Sequence, residues 1–267
     1  MESKQGILIF DLVGKFAHFR KFYTNSSSLS YLFPPRTTIE GIIAGILGID
    51  RDCYYDILSP EKCRITISPK TPVRSLFQTL NYLYVKSASA LNGKDGRTQI
   101  PLEIIVPKFF NENLRYRIYV SGEADLLSNL GHKLTKDQAF YPTSLGSAQF
   151  LCKAIFIANT PPEQVIQQPV NETISINTPL IATDEVIKSI LVAGNTGLKI
   201  LTDIFPFHFQ RGRIPMQNQK LIFDRDFRPL MVSNLNITVT KVNYTKDSEV
   251  CEENIFFADN IEKPPSL

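Results

Sequence analysis

The 267-residue sequence predicts an α+β protein with a larger N-terminal unit and a smaller, mostly β C-terminal region. Short apolar or alternating runs typical of strands occur in both halves, whereas helical periodicity is confined to three segments. Along residues 1–159 the order is strand, helix, strands with a hairpin, helix, strand. That order is compatible with a βαββαβ core of the ferredoxin-like or RRM-like kind.

The first strand and first helix have the clearest local signals. Residues 6–12 form an apolar run typical of a buried strand. A proline pair then precedes the first helix, for which Thr37 is the expected N-cap and Glu40 its capping-box partner. Apolar residues recur on one helical face, and Gly48 is expected to end the helix.

The remaining elements of the first unit include an inserted hairpin. Further strands are predicted near 63–68, 80–86, 100–106 and 114–121. The middle two form a long hairpin, a thumb at about 80–106, with a turn-rich basic tip. A second helix is predicted at 123–134, and a strand at 150–158 closes the unit.

Residues 160–267 are predicted to form a β-rich region packed on this core. The stretch 160–180 is rich in Pro, Gln and Asn and is interpreted as a crossing segment. A helix is expected at 184–191, and strands are expected near 199–204, 220–223 and 234–244.

Composition excludes several classes of protein. The apolar fraction of 43% is ordinary for a globular protein, and no apolar run is long enough for a membrane span. The N-terminal residues do not have the pattern of a signal peptide, so we expect a cytoplasmic protein. The four cysteines form no closely spaced pair, which argues against zinc, and no metal or other cofactor is predicted.

The charge distribution is uneven. Residues 1–120 contain 16 Lys and Arg against 10 Asp and Glu, a balance of +6. The remaining residues contain 13 against 16, a balance of −3, and together they give the net charge of +3. A basic N-terminal half favours a polyanionic partner on that side of the molecule.

Three segments resemble the Cas-five family of CRISPR-associated proteins, within the RAMP superfamily. The first runs from Gly14-Lys15-Phe16-Ala17-His18-Phe19-Arg20-Lys21-Phe22-Tyr23 into Pro34-Pro35-Arg36-Thr37-Thr38-Ile39-Glu40-Gly41. The second is Arg97-Thr98-Gln99-Ile100-Pro101-Leu102-Glu103, and the third is Tyr141-Pro142-Thr143-Ser144-Leu145-Gly146. The chain length and the Thr98–Pro101 segment resemble subtype I-B most.

The resemblance implies a non-catalytic subunit of a type I CRISPR interference (Cascade-like) complex, which serves antiviral defense. Such a subunit has a ferredoxin-like core with a thumb hairpin, and it binds and caps the 5′ repeat-derived handle of the guide RNA (crRNA). It contacts a Cas-seven backbone subunit and the large subunit of the complex. Target DNA is reached only indirectly.

Handle binding requires cations for phosphates and flat side chains for bases. The candidate RNA-binding residues are Lys15, His18, Phe19, Arg20, Lys21, Tyr23, Arg36, Lys86, Lys94, Arg97, Arg211 and Arg213. Phe16 and Phe22 are interpreted as core residues. The hairpin tip fits either an RNA contact or a contact with a neighbouring subunit, and Tyr141-Pro142 is interpreted as a structural corner.

No catalytic motif is found, so we predict that the chain is not an enzyme and has no catalytic residues. The sequence has no phosphate-binding loop, nucleophile elbow or zincin motif. The alternative is a metal-independent endoribonuclease that processes CRISPR precursor RNA, with His18 as its candidate. A third hypothesis is a protein scaffold that makes no RNA contact.

Overall fold

The structure is a computed structural model that describes residues 5–24, 27–192 and 197–260. It is a mixed α/β protein made mostly of strands. Within the described residues the α-helices are α1 (Arg36–Leu47), α2 (Ala124–Thr135) and α3 (Asp184–Val192). The strands are β1 (Ile7–Gly14), β2 (Phe19–Arg20), β3 (Ser30–Tyr31), β4 (Arg64–Pro69), β5 (Val73–Leu83), β6 (Arg97–Pro107), β7 (Leu114–Ser121), β8 (Cys152–Thr160), β9 (Val165–Val170), β10 (Ile174–Ile176), β11 (Leu180–Ile181), β12 (Ile200–Gln210), β13 (Ile214–Asp224), β14 (Leu230–Val232), β15 (Leu235–Lys246) and β16 (Glu249–Ile255).

A four-stranded antiparallel sheet forms the centre of the N-terminal unit. Its strands lie in the order β4-β7-β1-β8, so β1 pairs with β7 on one side and with β8 on the other. The apolar run at residues 6–12 explains why β1 is central, because a strand buried on both faces has no polar face to alternate with. The predicted strand at 114–121 has the bounds that the structure gives to β7.

Helices α1 and α2 cover one face of this sheet. Leu8, Phe10 and Leu12 point to that face and join a cluster with the apolar stripes of both helices. The capping prediction is wrong, because α1 begins at Arg36 after Pro35 and has no side-chain cap. Instead of capping, Glu40 is fully buried in an ion pair with Arg36. Gly48 ends the helix in the left-handed conformation, with φ of 79°, as its sequence position predicted.

The opposite face of the sheet is also covered. Ile7, Ile9 and Tyr119 pack there against a second sheet, in the order β16-β15-β9. The crossing segment predicted at 160–180 is therefore partly wrong, since it contains β9, β10 and the start of β11. Its strands were missed because Pro and Asn are depleted in strands generally. Within the described residues the helices and the second sheet cover both faces of the three inner strands, while edge strand β8 stays partly exposed, with Ile155 at 39%.

A buried ion pair lies between the two sheets. Asp11 of β1 and Arg117 of β7 are cross-strand neighbours with Nε–Oδ1 and Nη2–Oδ2 distances of 2.8 and 3.1 Å. The same guanidinium contacts the Tyr244 hydroxyl and the Glu253 carboxylate of the covering sheet. Burial alone would raise the pKa of Asp11, but Arg117 and Arg115 outweigh it and hold that pKa below its ordinary value.

The inserted hairpin is longer than predicted. Strands β5 and β6 pair without interruption from Val73 opposite Pro107 to Leu83 opposite Arg97. A 3₁₀ turn at Ala88–Asn92 lies in the tip. Burial is concentrated at the base, around Ile104, Ile105 and Val106, and most of the remaining ribbon is exposed, although Ala90 in the tip is buried.

The C-terminal region contributes side chains to the hydrophobic cluster between the central sheet and helices α1 and α2. The long hairpin β12–β13 extends beyond the strands predicted at 199–204 and 220–223, and it places Phe205 and Phe223 inside the main cluster. Phe205 stacks on Phe33 and Tyr31, with ring centroids 4.7 and 4.4 Å apart. None of the described helices is long and apolar enough to cross a membrane.

Replacing Asp11 with alanine is expected to lower the free energy of unfolding by about 3–5 kcal/mol, because Arg117 would stay buried without its main counter-ion. Arg115 also binds Asp11, at 2.8 Å, but its side chain is 37% exposed. Arg115→Ala is therefore the control and is expected to cost about 1 kcal/mol or less. Urea unfolding at neutral pH measures both values, and equal losses for the two variants would contradict the assignment.

Candidate nucleic-acid interface

A groove of about 400 Å³ opens where four segments meet beside the hairpin. We call it the first groove. Arg20 enters from the N-terminal segment, Tyr82 from β5, Thr38 from the first turn of α1, and Gln149 from the loop between α2 and β8. These residues are far apart in sequence, so the groove exists only in the folded chain.

Backbone hydrogen bonds hold the N-terminal segment against the hairpin base. Ala17 and Ile105 exchange both N–H···O bonds, at 2.9 and 2.8 Å, and Glu103 N–H donates to Ser28 O at 3.0 Å. On the other side, His18 N–H donates to Leu145 O at 3.0 Å. One wall of the groove is thus the N-terminal segment, which is held against β6 by backbone hydrogen bonds.

Gly146 permits the close approach of the loop after α2. Its φ is +88°, and an added Cβ would lie 1.9 Å from the His18 carbonyl oxygen. Both the conformation and the space exclude a side chain at this position. The third segment that resembled the Cas-five family therefore ends at a residue required by the wall of the groove.

His18 lines the groove, but its ring nitrogens are already bonded. Nδ1 lies 2.8 Å from the Glu103 carbonyl oxygen and therefore donates, which leaves Nε2 to accept from the Ser28 hydroxyl at 3.0 Å. Burial lowers the pKa of His18, and the charge of nearby Arg20 lowers it further. His18 is held as a neutral structural histidine.

Arg20 is the exposed cation of the first groove. No acidic side chain among the described residues forms an ion pair with its guanidinium, so it is available to an anion. Its neighbours differ, since Lys21 Nζ lies 2.6 Å from Asp203 Oδ2 and Tyr23 donates to Asp203 Oδ1 at 2.6 Å. Partial burial works against the Lys21 charge, but Asp203 raises its pKa above the ordinary value. Lys21 therefore stays charged, but Asp203 balances its charge, which is not the case for Arg20.

Two predicted contact residues are buried, which corrects the sequence interpretation. Phe19 is a core residue that packs edge-on against Tyr116, with ring centroids 5.9 Å apart. Arg36 is also buried, because its guanidinium compensates Glu40 and Asp259 and donates to two backbone carbonyls. Local sequence did not distinguish a buried arginine from a surface one.

The aromatic residues near them are also placed differently from the prediction. Phe16 and Phe22, interpreted as core residues, have 47% and 53% of their surface exposed. Phe16 lies against Phe150, and Phe22 against Tyr23. Both rings lie on the outside of the N-terminal segment, whereas the consecutive residues Ala17, His18 and Phe19 between them are buried.

The other candidates are exposed but lie outside the first groove. Lys15 Nζ donates to Glu112 O at 2.9 Å, and Lys86 Nζ sits 4.9 Å from the centre of the Tyr84 ring. Lys94 and Arg97 are exposed near the hairpin tip. At the β12–β13 turn Arg211 is exposed, whereas Arg213 is 3.0 Å from Asp52, whose hydrogen bond raises the Arg213 pKa.

Sequence reasoning missed several groove residues. Tyr82, Thr38, Ser147 and Gln149 line the groove with Arg20 but carry no local motif. Of these four residues, only Thr38 falls within a segment that resembled the family. Within the described residues no group of three or more His, Cys, Asp or Glu side chains is placed to hold a metal ion.

We predict that the free energy of unfolding falls at acidic pH, partly because His18 becomes protonated on unfolding. Its folded-state pKa lies below the ordinary 6.5, so the unfolded chain binds more protons as the pH falls through 6.5, and stability falls with it. His18→Asn keeps a donor for the Glu103 carbonyl but cannot titrate. Urea unfolding between about pH 8 and about pH 5 should show a shallower decline for this variant. The exposed His132→Asn variant is the control, and a decline in His18→Asn as steep as in the wild type would contradict the prediction.

Comparison with solved structures finds chains of CRISPR proteins. One, described as a CRISPR protein from Archaeoglobus fulgidus, is 14% identical with a TM-score of 0.49, and the match covers 92% of this chain and 99% of the other. Another, from a CRISPR RNA-guided surveillance complex, is 13% identical with a TM-score of 0.47, covering 85% and 91%. Comparison with curated protein sequences gives no significant match.

A protein-family comparison covers more than half of the chain. Residues 7–160, from β1 to the end of β8, match the family described as CRISPR-associated protein (Cas_Cas5). The match includes all four segments that line the first groove, from Arg20 and Thr38 to Tyr82 and Gln149. The chain therefore belongs to the Cas5 family of CRISPR-associated proteins.

Proposed function

We propose that this protein is a non-catalytic subunit of a type I CRISPR interference complex that binds and caps the 5′ repeat-derived handle of the guide RNA. Membership of the Cas5 family supports a role in a CRISPR effector complex. The single observation that carries the RNA assignment is that Arg20, which forms no ion pair within the described residues, lines the first groove together with Tyr82. A cation without an internal partner next to an exposed ring is the pairing that single-stranded RNA requires.

Each side of the first groove offers a different contact to RNA. Arg20 can bind a phosphate through two parallel N–H···O bonds, and the Tyr82 ring can stack on a base. Ser147 and Gln149 offer hydroxyl and amide groups for base edges or the 2′-hydroxyl. Phosphate contacts supply most of the affinity, and the base-edge groups supply selectivity.

The element order supports the finer assignment of the fold and subtype. The sequence β1-α1-β4-β7-α2-β8, with β5 and β6 inserted between β4 and β7, fits a ferredoxin-like βαββαβ core with a thumb. Residues 98–101, the basis for subtype I-B, lie on β6 of that thumb. We therefore infer a ferredoxin-like core and a subtype I-B protein.

The hairpin supports contacts with neighbouring subunits. Its exposed surface carries several large apolar side chains, namely Leu76, Phe77, Leu83, Tyr84, Val85 and Leu91. A concentration of exposed large apolar side chains on one element favours an interaction site. We propose that a Cas-seven backbone subunit covers the hairpin, that the large subunit also contacts the chain, and that target DNA is reached only through the assembled complex.

Arg20→Ala is expected to weaken binding of a labelled handle RNA roughly 10-fold, because one charge-assisted phosphate contact is lost. Tyr82→Ala is expected to cost a similar factor through lost stacking. Fluorescence anisotropy with the purified chain, across a salt series and with or without partner subunits, measures both. Arg51→Ala removes an arginine of 77% side-chain exposure outside the groove and serves as the control.

A scaffold without RNA contact gives a different result. In that case Arg20→Ala and Tyr82→Ala would bind the partner subunits normally, and complex assembled with either variant would retain the handle as the wild type does. Arg36 is unsuitable for this test because its replacement would leave Glu40 and Asp259 buried without a counter-ion.

Incubation of the chain with labelled repeat RNA is expected to leave the RNA intact. His18 is the histidine that lines the groove, and its two ring nitrogens are bonded to Glu103 and Ser28 instead of facing a substrate. Denaturing gels with and without a chelator provide the measurement. Site-specific cleavage that His18→Ala abolishes would make the chain a processing endoribonuclease instead.

A further inference from the structure

A second groove, of about 370 Å³, lies at the opposite end of α1 from the first. It is bordered by the loop that follows α2 and by the start of β8. Its exposed surface combines two aromatic rings, two lysines, one acid and one aliphatic side chain. These are Phe140, Tyr141, Lys133, Lys153, Asp137 and Leu151.

The aromatic rings stand on a fixed platform. Phe140 and Tyr141 donate their backbone N–H groups to Ile46 O and Gly45 O, both at 3.1 Å, and so satisfy carbonyls that the end of α1 leaves free. The Phe140 ring lies against Gly48, where an added Cβ would be 2.8 Å from it. The rings are nevertheless 62% and 48% exposed. The interpretation of Tyr141 as a structural corner therefore accounts for its backbone hydrogen bond to α1, but not for the exposure of its ring.

The cations beside these rings have no acidic partner. Lys133 Nζ lies 6.0 Å from the centre of the Phe140 ring, and Lys153 is exposed on β8. No ion pair joins either lysine to an acid in the described part of the chain. Asp137 is the one carboxylate that lines the groove, so the lining has a positive balance. Exposed rings beside unpaired cations suit bases and phosphates better than they suit an apolar protein segment.

The second groove is positioned to continue the first. Thr38 lines the first groove and Ile46 the second, and eight residues of helix separate them by about 12 Å. The loop between α2 and β8 borders both grooves, with Tyr141 at one end and Gly146 at the other. At about 3.4 Å per stacked nucleotide, about three or four nucleotides cover this distance.

We propose that the second groove binds single-stranded RNA that runs along α1 from the first groove, with Phe140 and Tyr141 stacking on bases and Lys133 and Lys153 contacting phosphates. This inference rests on the proposed function, because the RNA is the same handle strand. It extends that function by assigning a second site of stated chemistry on the loop that follows α2.

The test measures affinity of the full chain for labelled handle RNAs shortened one nucleotide at a time from either end. For the wild type, affinity should rise about 10-fold or more when the strand becomes long enough to reach the second groove. Lys133→Ala/Lys153→Ala should lose that gain and lower the slope of log K against log salt by about 1.4, while the shortest bound RNA is unaffected. Tyr141→Leu, which keeps an apolar side chain, should also lose the gain.

Asp137→Asn is the matched variant, and its expected effect on RNA affinity is opposite to that of the lysine variant. Asp137 has φ of 52°, a conformation that asparagine also tolerates, so the backbone should be retained. Removal of the opposing charge should tighten binding of long RNA two-fold or more and leave short RNA unchanged.

The outcomes separate this inference from the proposed function. If no RNA binds to the wild type or to its assembled complex, the proposed function fails and the inference fails with it. If RNA binds and the lysine variant keeps both the length gain and the salt slope, the second groove is overturned while the first stands. If the same variants lose a partner subunit and not the long RNA, the groove is a protein interface and the proposal is wrong.

Discussion

The Asp11–Arg117 ion pair is buried between the central sheet and the covering sheet. Where these two sheets meet follows from the need to satisfy that pair. A carboxylate and a guanidinium in the interior must satisfy each other, and here Tyr244 and Glu253 of the covering sheet complete the set. The covering sheet is thereby fixed to the face that Ile7, Ile9 and Tyr119 present. RRM domains bind bases on the open face of a four-stranded sheet. Here the covering sheet occupies the corresponding face around Ile9 and Tyr119, and the two grooves of the described residues lie at edges and loops instead.

The basic N-terminal half does not translate directly into a basic surface. Arg36 and Arg117 compensate buried acids, and Lys21 is bound to Asp203. Even with Arg36 beside it, burial raises the pKa of Asp259 to about 6, which shows how strongly the interior opposes charge at that position. Within the described residues, the cations of this half that stay available to a polyanion are those that form no ion pair with an acid, and Arg20 is one of them. Charge counted along the sequence overstates the charge offered to a partner.

Helix α1 and the loop beside it organise both grooves. The helix packs its isoleucines into the core, while its first turn borders one groove and its last turn the other. Two left-handed glycines keep the loop close: Gly48 receives the Phe140 ring, and Gly146 meets the His18 carbonyl. Since both contacts exclude a Cβ, the spacing between the grooves is set by backbone geometry. A site built this way is held without relying on flexible side chains.

The sequence by itself determined the class of fold, most of the elements and the family resemblance. Periodicity identified β1, β7 and the three helices because strand and helix place buried residues at different intervals, and the motifs around residues 14–41 and 141–146 pointed to the Cas5 family. Only the tertiary structure decided which charges are buried, which rings are exposed and where the groove lies. Tyr82, Thr38, Gln149 and Arg20 become neighbours through long-range pairing, and a local pattern carries no information about the segment that will fold against it.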